Sequence, residues 1–155
     1  MSTVDRLQSI EEIRALIATY AISFDDHDWE RFGSLWTEDA AFVVDGEAFE
    51  PREAMLEFLT TCLPDDYAGK HMNSPPLIEL SPDGESASAD TDVVWIPQNF
   101  ENAIVARYHD TLVRRDGRWL FARREETPLQ YKPGPPPMSV TAVGVSGATM
   151  RTGGD

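Results

Sequence analysis

Tyr20, Asp25 and Asp26 stand at the end of a long apolar stripe, and His71 lies further along the chain in KHMNSPP. These residue types are those of proton-transfer chemistry. A phenol donates a hydrogen bond, and an imidazole tied to a carboxylate is held in one tautomer and becomes a better base. The competing reading of a lone histidine is structural. His71 stands out because it lies between the end of a helix and a strand, where a base can project into a pocket. His27, among three aspartates in DDHDW, reads as solvated charge at a helix C-terminus. His109 alternates with Tyr108 and Asp110 on a strand, so it faces away from both, and the sequence leaves open which set faces inward.

The elements that must position these groups follow from periodicity. Ile10, Ile13, Leu16, Ile17, Tyr20, Ala21 and Phe24 recur at three and four, so one face of a helix within 9–29 is apolar, and the Ser9/Glu12 spacing predicts a capping box at its start. At about 100° per residue, Asp25 falls about 100° from the centre of that stripe, able to turn inward without being forced to. Asp28 predicts the cap of a second helix through Leu35, with Trp29, Phe32 and Trp36 as its apolar face. A strand over 40–44, the hairpin signal Asp45-Gly46 and a short return strand follow. Pro51 then opens a third helix with Ala54, Met55, Phe58 and Leu59 on one side and Pro64 as its stop.

The pattern then changes to strands, at 71–73, 77–80, 87–96, 103–114 and 119–124, with turns at 81–84 and at Asp116-Gly117. Helices first and a meander of long strands after is an α+β pattern, with helices covering one face of a curved sheet. Asp90 and Asp92 share a face opposite Ala89, Val93 and Trp95, which predicts that both are solvated. Residues 1–127 read as one domain, and the proline-rich 128–155 as a tail or an arm.

The totals exclude several classes. In 155 residues, 13 basic stand against 27 acidic, a net charge of −14, which disfavours phosphate backbones and anionic membrane surfaces. Cys62 is the single cysteine, so neither an intrachain disulfide nor a thiolate metal cluster can form, and its expected role is that of a small half-buried hydrophobe. No zinc-type spacing, glycine-rich phosphate loop or GxSxG occurs, so chemistry without cofactor or metal is the economical expectation, in a cytoplasmic protein with no nucleic-acid or membrane partner.

The first helix ending TYAISFDDHDW, the LWTEDAAF turn, the REAMLEFL helix and the closing YHDTLVRRDGRWLFARR hairpin together resemble the SnoaL-like branch of the nuclear transport factor 2-like superfamily. That resemblance implies a cone-shaped α+β barrel: three N-terminal helices packed on a strongly curved mixed sheet of four to six strands, enclosing an apolar pocket, in a homodimer or homotrimer. Members include dehydratases, polyketide cyclases, ketosteroid isomerase and non-catalytic binders. The dehydratases pair a tyrosine and an aspartate at the first helix end with a strand histidine, which carries over to Tyr20, Asp25 and His71 as catalytic residues. Phe24, Trp36, Trp95, Tyr108 and Asp110 are then the candidate substrate-binding residues. The chain departs from the dehydratases at Val44, Trp95 and Gln98, where they carry further polar groups.

The implied function is a cofactor-independent dehydratase or isomerase acting on a small apolar oxygenated metabolite of polyketide, terpenoid or steroid-like type. The alternatives are a hydrophobic-ligand binder of the same fold, a polyketide cyclase, or an epoxide hydrolase using Arg107 or Arg123 with Asp110.

Overall fold

The computed structural model describes residues 1–62, 68–100 and 103–129. The first helix, α1 (Thr3–Asp25), is capped by Ser2, whose hydroxyl accepts from the Asp5 amide while the Asp5 carboxylate accepts from the Ser2 amide. The expected cap at Ser9 is therefore replaced by an earlier one of the same kind. No breaker separates the two, so the helix gains backbone hydrogen bonds by starting at the first. Ser9 is instead buried inside α1. The apolar stripe buries Ile13, Leu16, Ile17, Tyr20 and Phe24, each worth about 1.5–3 kcal/mol of transfer free energy.

Asp28 caps the second helix, α2 (Trp29–Gly33), by accepting from the Arg31 amide. It ends before the expected Leu35, because the Leu35 carbonyl is taken by the amide of Phe121 and Trp36 begins β1 (Trp36–Val44). The hairpin at Asp45 and Gly46, both at positive φ, leads into β2 (Glu47–Phe49). In α3 (Arg52–Thr61) Pro51 occupies the cap position and Met55 and Leu59 are buried. Pro64, its expected stop, lies outside the described residues. Cys62 follows α3 and is exposed rather than half-buried, its thiol donating to the Leu59 carbonyl.

The remaining strands are β3 (Gly69–Asn73), β4 (Leu77–Leu80), β5 (Ser86–Pro97), β6 (Ile104–Arg115) and β7 (Arg118–Pro128). They form with β1 and β2 one seven-stranded sheet of order β2-β1-β7-β6-β5-β3, with β4 pairing a second stretch of β5. Among the described residues this is more than the four to six strands expected, and there β1 with β7 is the one parallel pair beside otherwise antiparallel neighbours. The curved sheet is open, and α1 and α3 pack on it. The arm expected from residue 128 onward lies outside the described residues, apart from Pro128 and Leu129 at the end of β7. No helix among the described residues is long and apolar enough to cross a membrane.

Two details of this sheet set the site. In β6, Tyr108 and Asp110 face inward and are buried, while Arg107 and His109 face out and pair with Asp92 and Asp90 at 2.7 Å, so both aspartates are solvated. In β7, the register with β6 shifts: Leu112 pairs Phe121 while Thr111 pairs Arg123, leaving Ala122 as the extra residue of a bulge. Trp119 and Phe121 face inward before the bulge, and Arg124 and Glu126 after it.

Gly69 lies under the indole of Trp95, where an added Cβ would come within 2.2 Å of a ring carbon. Gly69→Ala is expected to cost about 1–3 kcal/mol of overpacking, read as a lowered urea midpoint at unchanged slope.

Candidate active site

Asp25 ends α1, and its carboxylate turns inward to β3. One oxygen, Oδ1, lies 2.6 Å from His71 Nδ1, and the other, Oδ2, accepts from the His71 backbone N–H at 2.9 Å. Both side chains are only 5% exposed. Because a carboxylate accepts, Nδ1 carries the proton and Nε2 presents its lone pair, a tautomer assigned from the partner. The Tyr108 hydroxyl lies 3.4 Å from that nitrogen. Tyr20 and Phe24 set the ring edge-on, at 5.9 and 5.4 Å between centroids. Asp26, next in sequence, instead pairs with Lys70 at the surface.

Behind the two tyrosines is a buried cation. Arg124 donates Nε and one terminal nitrogen to the two oxygens of Asp110, each at 2.7 Å, with both side chains fully buried. Its guanidinium carbon stands 3.9 Å from the centre of the Tyr20 ring and 4.1 Å from that of Tyr108. Desolvated cation–π contacts of this kind are worth about 2 kcal/mol. Burial would lower the guanidinium pKa, but Asp110 outweighs it and the net shift is upward, so the cation is permanent. Burial pushes the Tyr20 phenol up to about 12, with Arg124 opposing in part, and carries Tyr108 well above its ordinary value. Both tyrosines therefore remain hydrogen-bond donors.

The dyad opens on a cavity of about 230 Å³ whose walls include Tyr20, Phe24, His71, Trp95, Tyr108 and Glu126. Six of the eight residues expected at the site thus meet there, Asp25 reaching it through His71. Trp36 and Asp110 do not line it: Trp36 is packed between the rings of Tyr20 and Phe121, and Asp110 is held by Arg124. Arg107 and Arg123, weighed for an epoxide-hydrolase triad, pair with Asp92 and Glu125 instead of Asp110.

Arg124 and Glu126 are the functional candidates the sequence reading missed. Strand alternation continued from Trp119 and Phe121 would put residue 123 inward, and the bulge reverses it. Burial pushes the Glu126 carboxyl up, with the Coulomb pull of Arg124 opposing and Asp45 adding slightly. A larger, open depression of about 680 Å³ on the other side of the sheet, beside Arg107 and His109, has those groups already paired. Among the described residues, no three of His, Cys, Asp and Glu converge as a metal site.

Residues 5–125 match the family model of the SnoaL-like domain. The gamma-hexachlorocyclohexane dehydrochlorinase of Sphingobium indicum is 27% identical over 138 residues, 86% of this chain and 88% of that one. A solved hexachlorocyclohexane dehydrochlorinase of type 2 superposes with a TM-score of 0.69 at 25% identity, over 88% of this chain and 99% of its own. A protein of unknown function from Mycobacterium tuberculosis superposes with a TM-score of 0.75 at 27% identity, over 84% and 78% of the two chains.

Two stability measurements probe these ionic groups. Asp110→Leu leaves Arg124 buried without its counter-ion and is expected to cost about 3–5 kcal/mol in urea unfolding, much of it recovered in the double variant Asp110→Leu/Arg124→Met. A raised folded-state pKa at Glu126 means that its contribution is favourable below the ordinary carboxylate range and is lost as pH rises through the folded value. Glu126→Gln should therefore raise the melting temperature near pH 7, with a gain that shrinks as pH falls to about 4.

Proposed function

The chain belongs to the SnoaL-like family, and from that membership we propose that it is a lyase that eliminates water from a small, mostly apolar, oxygenated molecule without a cofactor. The observation that carries this reading is the 2.6 Å contact of Asp25 with His71 Nδ1, at the wall of an apolar cavity. Nε2 is then the base. It removes a proton from a carbon next to a carbonyl or an aromatic system, and Asp25 stabilises the imidazolium that forms. Tyr20 and Tyr108 donate to the oxygen on which negative charge builds, in a site where few waters compete for it. Arg124, behind both rings, adds positive potential without touching the substrate.

Two further observations favour elimination over other chemistry of the family. The relatives named dehydrochlorinases remove hydrogen and chlorine from their own substrate, and loss of water from adjacent carbons has the same pattern of bonds made and broken. The site also brings together one base and hydrogen-bond donors, which is what elimination asks for, whereas the arginines weighed for epoxide hydrolysis point elsewhere. A cavity of about 230 Å³ is smaller than the usual ligand pocket of about 300–1,000 Å³, which favours one- or two-ring skeletons over steroid-sized ones.

A panel of one- and two-ring β-hydroxy ketones, followed by the ultraviolet absorbance of the unsaturated product, tests the proposal. His71→Ala is expected to lower kcat by about 100- to 10,000-fold on any compound that reacts, and Asp25→Asn by less, since the imidazole remains. Undiminished turnover in His71→Ala ends the proposal, and ligand binding with no turnover of any member leaves a binding protein.

A further inference from the structure

Loss of water makes a demand that loss of chloride does not. Chloride departs as a stable anion, whereas hydroxide is a poor leaving group and needs a proton as its bond to carbon breaks. A base alone serves the first reaction; the second calls for an acid as well. The cavity holds few candidates. His71 Nδ1 is committed to Asp25, and Nε2 is the atom that takes the substrate proton. Burial pushes the Tyr20 and Tyr108 phenols up, which makes them weaker acids than a carboxyl, and the Cys62 thiol is directed at the Leu59 carbonyl.

Glu126 remains. It follows the bulge of β7 and stands in a row across the sheet, with Val44 on one side and Tyr108 on the other. The Tyr108 hydroxyl reaches toward His71 Nε2, so Tyr108 lies between the base and Glu126 along the cavity wall. The Glu126 carboxyl makes no hydrogen bond or ion pair among the described residues, and its side chain is half-buried at the cavity wall. A carboxyl left without a partner in an apolar chamber is costly unless it is neutral or meets a polar ligand.

We propose that Glu126 is the acid that receives and protonates the departing hydroxyl, so that the site selects an alcohol over the corresponding halide. This rests on the lyase reading above. The C–H bond breaks toward His71 Nε2, its electron pair becomes the new C=C bond, and the C–O bond breaks with its pair on oxygen. The Glu126 O–H bond breaks to complete water. The imidazolium and the Glu126 carboxylate that result are neutralised when one proton passes from Nε2 back to Glu126 through the released water. Burial of the carboxyl shifts its equilibrium toward the neutral form that this step uses, with Arg124 opposing in part.

The test compares β-hydroxytetralone with β-chlorotetralone, which give the same naphthol by loss of water or hydrogen chloride. Glu126→Gln is expected to lower kcat by about 100-fold or more on the alcohol and by no more than about threefold on the chloride, while His71→Ala lowers both. Equal losses on the two substrates, or none on either, overturn the role of Glu126 and leave the lyase reading standing.

Wild-type protein inert toward both compounds removes the lyase reading for this class, and binding then decides the assignment. Tetralol should bind more tightly than tetralin, by a preference that Glu126→Val abolishes and His71→Ala retains. A missing preference, or one that survives Glu126→Val, refutes the assignment.

Discussion

The buried guanidinium of Arg124 constrains the rest of the structure. A cation removed from water needs compensation, and here Asp110 takes two of its three nitrogens while aromatic faces close over its carbon; the third nitrogen, Nη1, is buried without a hydrogen-bond partner among the described residues. Tyr20 comes from α1 and Tyr108 from β6, so satisfying one charge docks the helix on the sheet at a fixed depth and angle. The two phenols that frame the cavity are thereby placed by a group that never enters it. Specificity of placement is what such a pair can give, since its net contribution to stability is small once desolvation is counted.

The second constraint is the carboxylate of Asp25, which makes two different bonds to the same residue. One oxygen fixes the backbone of β3 against the end of α1, and the other fixes the imbalance of protons on the ring. Position and tautomer of His71 are thus set together. The aromatic edges of Tyr20 and Phe24 remove the remaining rotational freedom of the imidazole, so the ring is held before any ligand arrives.

Much of this was legible in the sequence where local chemistry decides local structure. The stripe of α1, the Asp-Gly hairpins and the alternation in β5 and β6 are each written in a few residues, and Tyr20, Asp25 and His71 could be brought together by the resemblance those elements carry. Legibility failed where a distant partner decides. Two serines offered the same cap, and chain continuity favoured Ser2 over Ser9. A hydrogen bond from Phe121 ended α2 early. At Ala122 the register of β7 slips by one, which no composition signals. Strict period-two alternation would have put residue 123 inward, and Arg124 and Glu126 went unnoticed.

That one extra residue divides β7 into two stretches under different rules. Before it, Trp119 and Phe121 belong to the aromatic base on which α1 rests. After it, Arg124 ends that packing and Glu126 borders open volume. Substitutions in the first stretch disturb the fold before they alter chemistry, whereas the position of Glu126 can change character at little structural cost. The bulge thus turns two consecutive inward positions to different ends, Arg124 to holding the helix on the sheet and Glu126 to lining the cavity, where a change of side chain alters the lining before it alters the fold.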